Sequence, residues 1–390
     1  MPLVIVVGGL EPTKDGIGDH ARRLAAALTR LGMPTAILAL ADTRLPGDEH
    51  EAPQADDGMA IQSLRLGASL PFSERVIRGR RFVDKVGARH LLFAFSPYQF
   101  DRHGVVYRAA TELPRLARGL SSSILFHETW IGEDFDASPR MRAVGFAQRL
   151  MVQRLARALK PARLYSTNPL YREMLKARGI ETEMLPHCGN VPIQATRAES
   201  WLPQLLADKG IAVGASGLEA FYLIGLFGSL YPGLDLSRLL PSFEAAAARL
   251  GKRPLIVNIG FSGDRPEWRD WRRAYGHRFG LIDIGPATPL RISQFINSLD
   301  LGVTTTALAQ FGKSGTAAAF VEHGLPVLIA VETPRFRYWR ESMVEEYPAN
   351  CLRITSDLAD RLATARRLPP RGLLAPLATR LAADLSPLLR

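Results

Sequence analysis

Short apolar runs alternate with stretches of helical period along most of the chain, and they do so in two separate series. The first series begins with PLVIVV at 2–7 and reaches ARLYST at 162–167. The second begins with FYLIGLFG at 221–228 and ends with LPVLIA at 325–330. Short buried strands that alternate with helices are typical of parallel sheets built from β–α–β units. The pattern therefore predicts an α/β protein with two doubly wound, Rossmann-like domains, joined by a weakly patterned linker at 191–218.

The length and composition of the chain fit this two-domain interpretation. Its 390 residues, 47% of them hydrophobic and 22% charged, suffice for two domains that each bury a core. The N-terminal MPLVIVVGGL lacks the basic segment of a signal peptide, and no apolar run approaches the roughly 18–20 residues that span a bilayer. The two cysteines, Cys188 and Cys351, provide neither a disulfide framework nor a metal cluster. We therefore expect a soluble, cytoplasmic protein.

The formal net charge of +11 has two candidate origins. A genome rich in G and C favours arginine; alternatively, the protein meets an acidic partner such as nucleic acid, an anionic membrane surface or a phosphorylated substrate. Basic residues cluster at 78–81 (RGRR) and at 140–163, where RMRAVGFAQRLMVQRLARALKPAR predicts an amphipathic helix. This helix either packs its apolar stripe in the core or makes peripheral contact with the inner face of an anionic membrane. No zinc-finger, aromatic RNA-binding or helix-turn-helix motif accompanies the charge, so we expect no nucleic-acid partner.

Ligands of doubly wound sheets bind beyond the carboxyl ends of the strands, at loops that lead into helices. The first such loop, GGLEPTKDGIGDHARRL at 8–24, places Gly16 and Gly18 at a predicted helix start, where backbone N–H groups favour an anion. The run G-I-G-D-H-A matches a dinucleotide fingerprint only nominally, with Ala21 in the last position, and it lies well away from the first strand. A nicotinamide-dependent dehydrogenase is therefore disfavoured.

The second loop follows the predicted strand within SSILFHETWIGEDFD, residues 122–136. His127 and Glu128 stand where this strand should end, so both could face a ligand; alternatively, His127 only hydrogen-bonds a neighbouring loop. The carboxylates of this loop could bind a metal, but no matching ligands stand elsewhere in the sequence. A solvated acidic loop is the favoured interpretation.

The third loop opens the segment FGKSGTAAAFVEHGLPVLIA. Its glycine, lysine and serine suggest a nucleoside-triphosphate loop, but that motif requires a glycine at position 307, which is alanine. The backbone N–H groups of Ser314, Gly315 and Thr316 still open a helix, and Lys313 adds a positive charge. We therefore predict a diphosphate site without a P-loop, with an N-capped core helix and a solvated lysine as the alternative.

Taken together, these pieces resemble the two-domain GT-B glycosyltransferases, in particular the retaining, glycogen-synthase-like (family 4-type) group. The matching segments, in chain order, are GIGDHARRLAAAL, FHE, LPHCGNVP, FGSLYPGLDLSRLLPSFEAA and SLDLGVTTTALAQFGKSGTAAAFVEHGLPVLIA. Their order and spacing across most of the chain, rather than any single segment, carry the resemblance. It implies a GT-B fold, in which residues 1–190 and 219–372 form two Rossmann-like domains facing across a cleft. A helix at about 373–390 could pack back on the first domain.

The resemblance also implies an activity. A glycosyltransferase of hexosyl type would move a sugar from a nucleotide-diphosphate sugar, bound by the second domain, to a hydroxyl of a glycan, polysaccharide or lipid-linked acceptor on the first. The group implies retention, and neither a cofactor nor a catalytic metal. His127 would line the sugar site, with Glu128 on the acceptor or sugar side, and Lys313 would stabilise the departing diphosphate. The loop at Gly16–Asp19 would approach the pyrophosphate or the sugar.

The sequence departs from the family at two places. Two glutamates eight positions apart usually stand in the last segment, where this chain has Phe311 and Ala319. A basic pair usually follows the first strand of the second domain, near the positions that hold Ser229 and Gly233 here. Ribose recognition and neutralisation of the diphosphate must therefore be arranged differently.

Other side chains could compensate for these losses. Lys313 is the natural substitute for the missing positive charge, and Arg265 in GFSGDRPEW is a further candidate cation for the donor. Glu322, one helical turn past Ala319, either reaches the ribose or is a solvated helix residue.

The architecture leaves two alternatives to sugar transfer. A nucleotide-sugar 2-epimerase would share the fold and the donor. A catalytically silent GT-B partner protein is the other alternative, because the usual glutamates are absent.

Overall fold

The computed structural model describes residues 2–228, 234–260, 265–331, 334–346 and 348–389, of which 344–346 are described by their backbone only. The chain divides into two compact units. The first comprises 1–188, 334–341 and 373–390, and the second comprises 189–333 and 342–372. The segment 191–218, predicted to be a linker, lies in the second unit and contains a short helix.

A mostly parallel sheet forms the centre of the first unit. The strands of this unit are β1 (Leu3–Val7), β2 (Thr35–Asp42), β3 (Glu49–Glu51), β4 (Gln54–Asp56), β5 (Met59–Ile61), β6 (Ser63–Gly67), β7 (His90–Phe95), β8 (Ser121–Phe126), β9 (Arg163–Ser166) and β10 (Glu183–Met184). Eight of them lie in the order β10-β9-β8-β7-β1-β2-β6-β3, in which β3 runs antiparallel to β6, and β4 and β5 form a separate hairpin. The chain extends the sheet first to one side of β1 and then, from β7 onwards, to the other. The strand order therefore reverses between β1 and β7.

Helices join these strands. They are α1 (Gly16–Arg30), α2 (Phe72–Val86), α3 (Pro97–Phe100), α4 (Tyr107–Leu116), α5 (Pro139–Leu159) and α6 (Pro169–Lys176). Every residue of β1 and β2 is buried, as expected for central parallel strands covered on both faces. On one face, Leu3, Ile5 and Val7 share a core with the apolar side of α1.

The second unit repeats this plan with a fully parallel sheet. Its strands are β11 (Phe221–Phe227), β12 (Arg253–Ile259), β13 (Gly280–Asp283), β14 (Leu301–Thr304), β15 (Val327–Ile329) and β16 (Cys351–Arg353). Its helices are α7 (Leu202–Asp208), α8 (Leu236–Arg249), α9 (Pro266–Tyr275), α10 (Pro289–Ser298), α11 (Gly315–Glu322) and α12 (Leu358–Thr364). The strand order is β13-β12-β11-β14-β15-β16, so it reverses between β11 and β14.

The α/β class and the doubly wound arrangement predicted from the sequence are confirmed. The predicted strand HLLFAF coincides with β7. The basic helix predicted at 140–163 forms α5, which ends at Leu159, and Arg163 already belongs to β9. The sequence did not reveal β3, whose three residues are all exposed and therefore show no apolar pattern. Within the described residues, no helix has the length and apolar character needed to cross a membrane.

The C-terminal helix α13 (Leu374–Leu385) belongs to the first unit, where it packs against α1. Its buried leucines, Leu377, Leu381 and Leu385, lie at the i, i+4, i+8 spacing of one helix face. The phenol of Tyr165 in β9 donates a hydrogen bond of 2.9 Å to the carboxylate of Asp384. The helix therefore closes one face of the first sheet although the second unit separates it from that sheet in sequence.

Replacing Leu381 by alanine should lower the free energy of unfolding by about 2–5 kcal/mol, because its side chain is fully buried against α1 and leaves a cavity. Urea denaturation followed by circular dichroism measures the change. The exposed Thr379→Ala on the same helix is the matched control and should stay within about 0.5 kcal/mol of the parent. Equal stabilities of the two variants would contradict the docking of α13.

Candidate functional site

The first candidate site lies where the strand order of the first sheet reverses. The loops after β1 and β7 meet there, and a Cβ atom at Gly8 would lie 2.3 Å from the carbonyl oxygen of Gln99. Only glycine therefore fits at position 8 without a backbone shift. In doubly wound sheets this reversal is where ligands bind, so the loops that follow β1, β7 and β8 form the candidate ligand edge of the first unit.

Asp15 caps the helix that starts at this edge. Its Oδ1 accepts hydrogen bonds from the backbone N–H of Ile17 at 3.1 Å and of Gly18 at 2.9 Å, and from the side-chain amide of Gln99 at 3.3 Å. Burial raises the pKa of this carboxyl group, while the hydrogen bonds from Gly18 and Gln99 oppose the rise. The first N–H groups of α1, which the sequence predicted to bind an anionic ligand, thus donate to the carboxylate of Asp15 instead. A phosphate approaching Gly16 and Gly18 would have to displace Asp15, whereas a hydroxyl group could be accommodated beside it.

The side chain of Asp19 makes contacts within the loop that follows β1. Its carboxylate accepts a hydrogen bond of 3.0 Å from the backbone N–H of Thr13 and pairs with Arg22. Arg22 also donates to the carbonyl oxygen of Leu10 at 2.8 Å. These contacts fix the shape of the loop after β1, and the predicted contact of Asp19 with a donor stays a prediction.

Three buried histidines meet beneath this edge. His127 follows β8, His20 lies in α1, and His187 follows β10; their exposed fractions are 2%, 1% and 6%. The His20 ring centroid lies 4.5 Å from that of His187 and 5.1 Å from that of His127, and the remaining pair is 5.4 Å apart. The sequence singled out His127 only, because residues separated by 60 or more positions give no sequence signal of contact.

These imidazoles are held neutral. Burial lowers the pKa of His20 and of His127 well below the usual value, and the neighbouring imidazoles add to the effect. Burial, with a contribution from the nearby Arg23, lowers the pKa of His187 to about 4. Both ring nitrogens of His20, Nε2 of His127 and Nδ1 of His187 have no hydrogen-bond partner among the described residues. Buried polar atoms without partners are costly, so this cluster is poised to hydrogen-bond a ligand or water molecules.

Glu128 is anchored beside the cluster. Its Oε2 accepts a hydrogen bond of 2.7 Å from the hydroxyl of the buried Ser96, which directly follows β7. Adjacent strands thus bring a serine and a glutamate together at the ligand edge. The role of Glu128 on the acceptor or sugar side stays a prediction.

The second candidate site lies where the sheet of the second unit reverses its order. Gly228 directly follows β11 and has φ +81°, and a Cβ atom there would lie 2.8 Å from the side-chain oxygen of Thr316. Gly260, which follows β12, has φ +117°, and a Cβ there would lie 3.3 Å from the backbone nitrogen of Gly228. Both positions require glycine, and the backbone at Gly228 lies directly against Thr316 at the start of α11.

The start of α11 gathers four of the predicted donor residues. Ser314 is the N-cap, and its hydroxyl accepts a hydrogen bond of 3.2 Å from the backbone N–H of Ala317. Gly315 and Thr316 form the first turn, and Lys313 ends the 3₁₀ turn that leads into the helix. A Cβ atom at Gly315 would lie 2.9 Å from the side-chain nitrogen of Asn190, a residue the sequence did not single out. The helix is N-capped by a neutral hydroxyl, so its positive dipole end is not neutralised by a carboxylate of the cap residue.

Glu322 lies deep in the second unit. Its side chain is buried, with an exposed fraction of 1%, and Oε1 accepts a hydrogen bond of 2.9 Å from the backbone N–H of Gly189. A Cβ atom at Gly189 would lie 2.9 Å from the Cα of Ala319, so backbone covers that position. Glu322 is therefore not a solvated helix residue; it holds the start of the second unit, and its contact with ribose stays a prediction. The same packing requires a small residue at 319, where the resembling family has a glutamate.

The remaining residues predicted from the sequence lie next to or outside the parts of the chain that the structure describes. Arg265 is exposed at the N-cap of α9, directly after residues 261–264, which lie outside the described part of the chain. Ser229 and Gly233 also lie outside the described residues. Among the residues that the structure does describe, no group of three or more His, Cys, Asp or Glu side chains is arranged to hold a metal ion.

Acid should destabilise the first unit through the histidine cluster. A lowered pKa in the folded state means that the unfolded chain binds protons more readily, so stability is complete above pH about 6.5 and is lost as the pH falls towards 4. For His187 alone the loss amounts to about 3 kcal/mol. The free energy of unfolding of the parent should therefore fall relative to that of His187→Gln over this range.

Chemical denaturation at a series of pH values measures this difference, and comparison with the variant removes the contribution of other acid-sensitive groups such as Asp42. The exposed His103→Gln serves as the control and should keep the pH profile of the parent. A constant gap between the parent and His187→Gln from pH 7 to pH 4 would show that His187 is not held neutral.

No protein-family model matches the sequence, and no curated protein matches it. Solved structures resemble the chain along its full length. The Anabaena protein HepE, in complex with UDP, has a TM-score of 0.55 at 11% identity, with 98% of this chain and 95% of that chain covered. A Listeria monocytogenes protein described as a UDP-N-acetylglucosamine 2-epimerase has a TM-score of 0.53 at 14% identity, with coverage of 99% and 96%. WaaG, a glycosyltransferase involved in lipopolysaccharide biosynthesis, has a TM-score of 0.51 at 15% identity, with coverage of 99% and 96%.

At these low identities the likeness concerns the fold. It extends over both units of the chain and nearly the full length of each relative, so shared single domains do not explain it. Two Rossmann-like units of this kind characterise the GT-B fold, so the predicted fold class of two doubly wound, Rossmann-like domains is confirmed, whereas their placement across a cleft stays a prediction.

Proposed function

We propose that this protein is a glycosyltransferase that moves a sugar from a nucleotide-diphosphate sugar to a hydroxyl acceptor. The observation that carries the proposal is the start of α11 in the second unit. Thr316 in the first turn of the helix lies there against Gly228, which follows β11, at the reversal point of a parallel sheet, and Lys313 ends the 3₁₀ turn that leads into the helix. Such a helix start, with a neutral cap and a nearby lysine, suits the two phosphates of a donor.

The chemistry of transfer fits this arrangement. As the sugar leaves, negative charge accumulates on the diphosphate and the anomeric carbon becomes cationic. Backbone N–H groups of Gly315 and Thr316, together with the ammonium group of Lys313, would stabilise that charge without transferring a proton. Because these groups are fixed before the reaction, little reorganisation is needed as the charge develops.

The solved relatives support a nucleotide-sugar donor. HepE has been solved with UDP, with UDP-glucose, and with UDP and glucose, and the WaaG structure is that of a glycosyltransferase. A uridine diphosphate sugar is therefore the first donor to test. We extend the proposal to a hexosyl donor, to retention, and to synthesis of a glycan, polysaccharide or glycolipid in the cytoplasm, as the sequence resemblance implies.

The first unit would bind hydroxyl groups of the transferred sugar or of the acceptor. The carboxylate of Asp15 occupies the start of α1 and repels a second anion, whereas carboxylates and neutral imidazoles both hydrogen-bond sugar hydroxyls. His127 and Glu128 lie at the same edge of the sheet. We therefore assign the transferred sugar or the acceptor to the first unit and the diphosphate to the second.

Replacing Lys313 by alanine should weaken donor binding about ten- to hundredfold, since a hydrogen bond to a charged group is lost. The parent is first screened with UDP, GDP, TDP and ADP sugars by thermal shift, because a ligand of the native state raises its melting temperature. The donor found is then titrated against Lys313→Ala, Arg265→Ala and the control Lys209→Ala, an exposed lysine of the same unit. Unchanged affinity in the first two variants would remove the proposed diphosphate site.

Product analysis separates transfer from the alternatives that share the fold. A transferase releases the nucleoside diphosphate faster when an acceptor hydroxyl is present and forms a new glycosidic bond. Formation of a 2-epimer from the donor alone would overturn the proposal in favour of an epimerase. Failure of every donor to bind or to be hydrolysed would favour a silent partner protein.

A further inference from the structure

We propose that the outer surface of α5 docks the first unit onto an anionic membrane. The stripe in question, called here the outer stripe, consists of Phe146, Leu150, Arg154 and Arg157. These residues follow one another at intervals of four, four and three positions, so they share one face of the helix. Vesicle binding can be measured without any nucleotide sugar, so this inference does not rest on the proposed function.

The outer stripe exposes apolar side chains that a surface helix would normally bury. Phe146 is 53% exposed and Leu150 is 42% exposed. Of the twelve large apolar side chains exposed among the described residues, seven fall between Tyr98 and Leu150 in the first unit. Phe146 and Leu150 lie four positions apart on one face of α5, and adjoining exposed apolar side chains of this kind indicate an interaction surface.

The opposite face of α5 fixes the orientation of the helix. Gly145, Gln148, Val152 and Leu155 are buried. A Cβ atom at Gly145 would lie 1.8 Å from the carbonyl oxygen of Ile131. The backbone N–H of Ile131 donates a hydrogen bond of 3.0 Å to the side-chain oxygen of Gln148. The helix cannot rotate to bury Phe146 without breaking this contact, so exposure of the stripe is a fixed property of the fold.

The charge of α5 is of one sign. Its 21 residues contain five arginines and no acidic residue. Arg149 stacks over the ring of Phe146 at 5.0 Å from its centroid and lies 3.6 Å from a carboxylate oxygen of Glu133. Arg154 and Arg157 are exposed near the C-terminal end of the helix, away from the acidic loop that precedes its N-cap, Ser138.

The neighbouring helix α4 does not reverse this sign. It carries Arg108 and Arg115 together with Glu112, whose carboxylate accepts a hydrogen bond of 2.8 Å from Arg115. Its Tyr107, 58% exposed, adds another amphipathic aromatic side chain to the same region. The surface around the outer stripe therefore joins apolar area to an excess of arginine.

A membrane fits this combination better than other partners. Phenylalanine and leucine can enter the boundary between headgroups and acyl chains, while arginines contact anionic headgroups. A second copy of the chain, paired through the same face, would bring like charges together. Nucleic acid would satisfy the arginines but would leave Leu150 without an apolar environment.

Co-sedimentation with vesicles of phosphatidylcholine, with and without phosphatidylglycerol, tests the proposal at low and high salt. The parent should bind the anionic vesicles, bind the neutral ones at least tenfold more weakly, and lose affinity with salt. Arg154→Ala combined with Arg157→Ala should weaken binding about thirtyfold, and Phe146→Asp combined with Leu150→Asp should weaken it at least tenfold.

Leu290→Asp and Arg273→Ala are the matched controls, because they make the same kinds of change at exposed positions of the second unit and should bind vesicles like the parent. Melting temperatures show whether each variant is folded. If the variant with Phe146→Asp and Leu150→Asp does not fold, the variant with Arg154→Ala and Arg157→Ala still tests the proposal. Equal binding of the parent to neutral and anionic vesicles, no binding to either, or parent-like binding by both stripe variants would overturn the proposal. Binding of duplex DNA in place of vesicles, lost in the same variants, would also overturn it.

Discussion

Both units depend on one constraint: two loops must pass side by side at the point where the strand order reverses. In the first sheet the backbone at Gly8 lies against Gln99, and in the second the backbone at Gly228 lies against Thr316. A side chain at either glycine would separate the loops and move the helix that follows. The ligand edges therefore exist because these positions carry no Cβ, and the candidate sites of both units follow from them.

The two edges differ in the charge of their helix caps. Asp15 places a carboxylate on the first N–H groups of α1, whereas Ser314 places a neutral hydroxyl on α11. A carboxylate already satisfies the positive end of a helix, but a hydroxyl leaves its dipole largely available to a second anion. The same fold thus occurs twice with different caps: a carboxylate accepts the first N–H groups of α1, and a neutral hydroxyl caps α11. The difference between the two edges comes from the cap residues, Asp15 and Ser314, on the same kind of backbone.

Local sequence patterns were sufficient for the elements and for part of the site. The strand at 90–95 and the helix starts at Gly16 and Gly315 follow from periodicity, glycine and cap residues that are neighbours in the chain. Asp15 could have been found in the same way, because an acidic residue directly before a helical pattern is a common N-cap. The histidine cluster could not, since its members come from α1 and from the loops after β8 and β10.

The sequence by itself determined the doubly wound class, the two series of strands and the basic, amphipathic character of α5, because these depend on spacing along the chain. Only the tertiary structure decided which face of α5 is exposed, that Gly189 covers Ala319, and that Glu322 is buried against Gly189. It also decided that three histidines lie together and that burial lowers the pKa of each imidazole, since burial and proximity arise when distant segments pack. Contacts between segments far apart in the chain have no local signature, so the histidine cluster and the burial of Glu322 could not be predicted from the sequence.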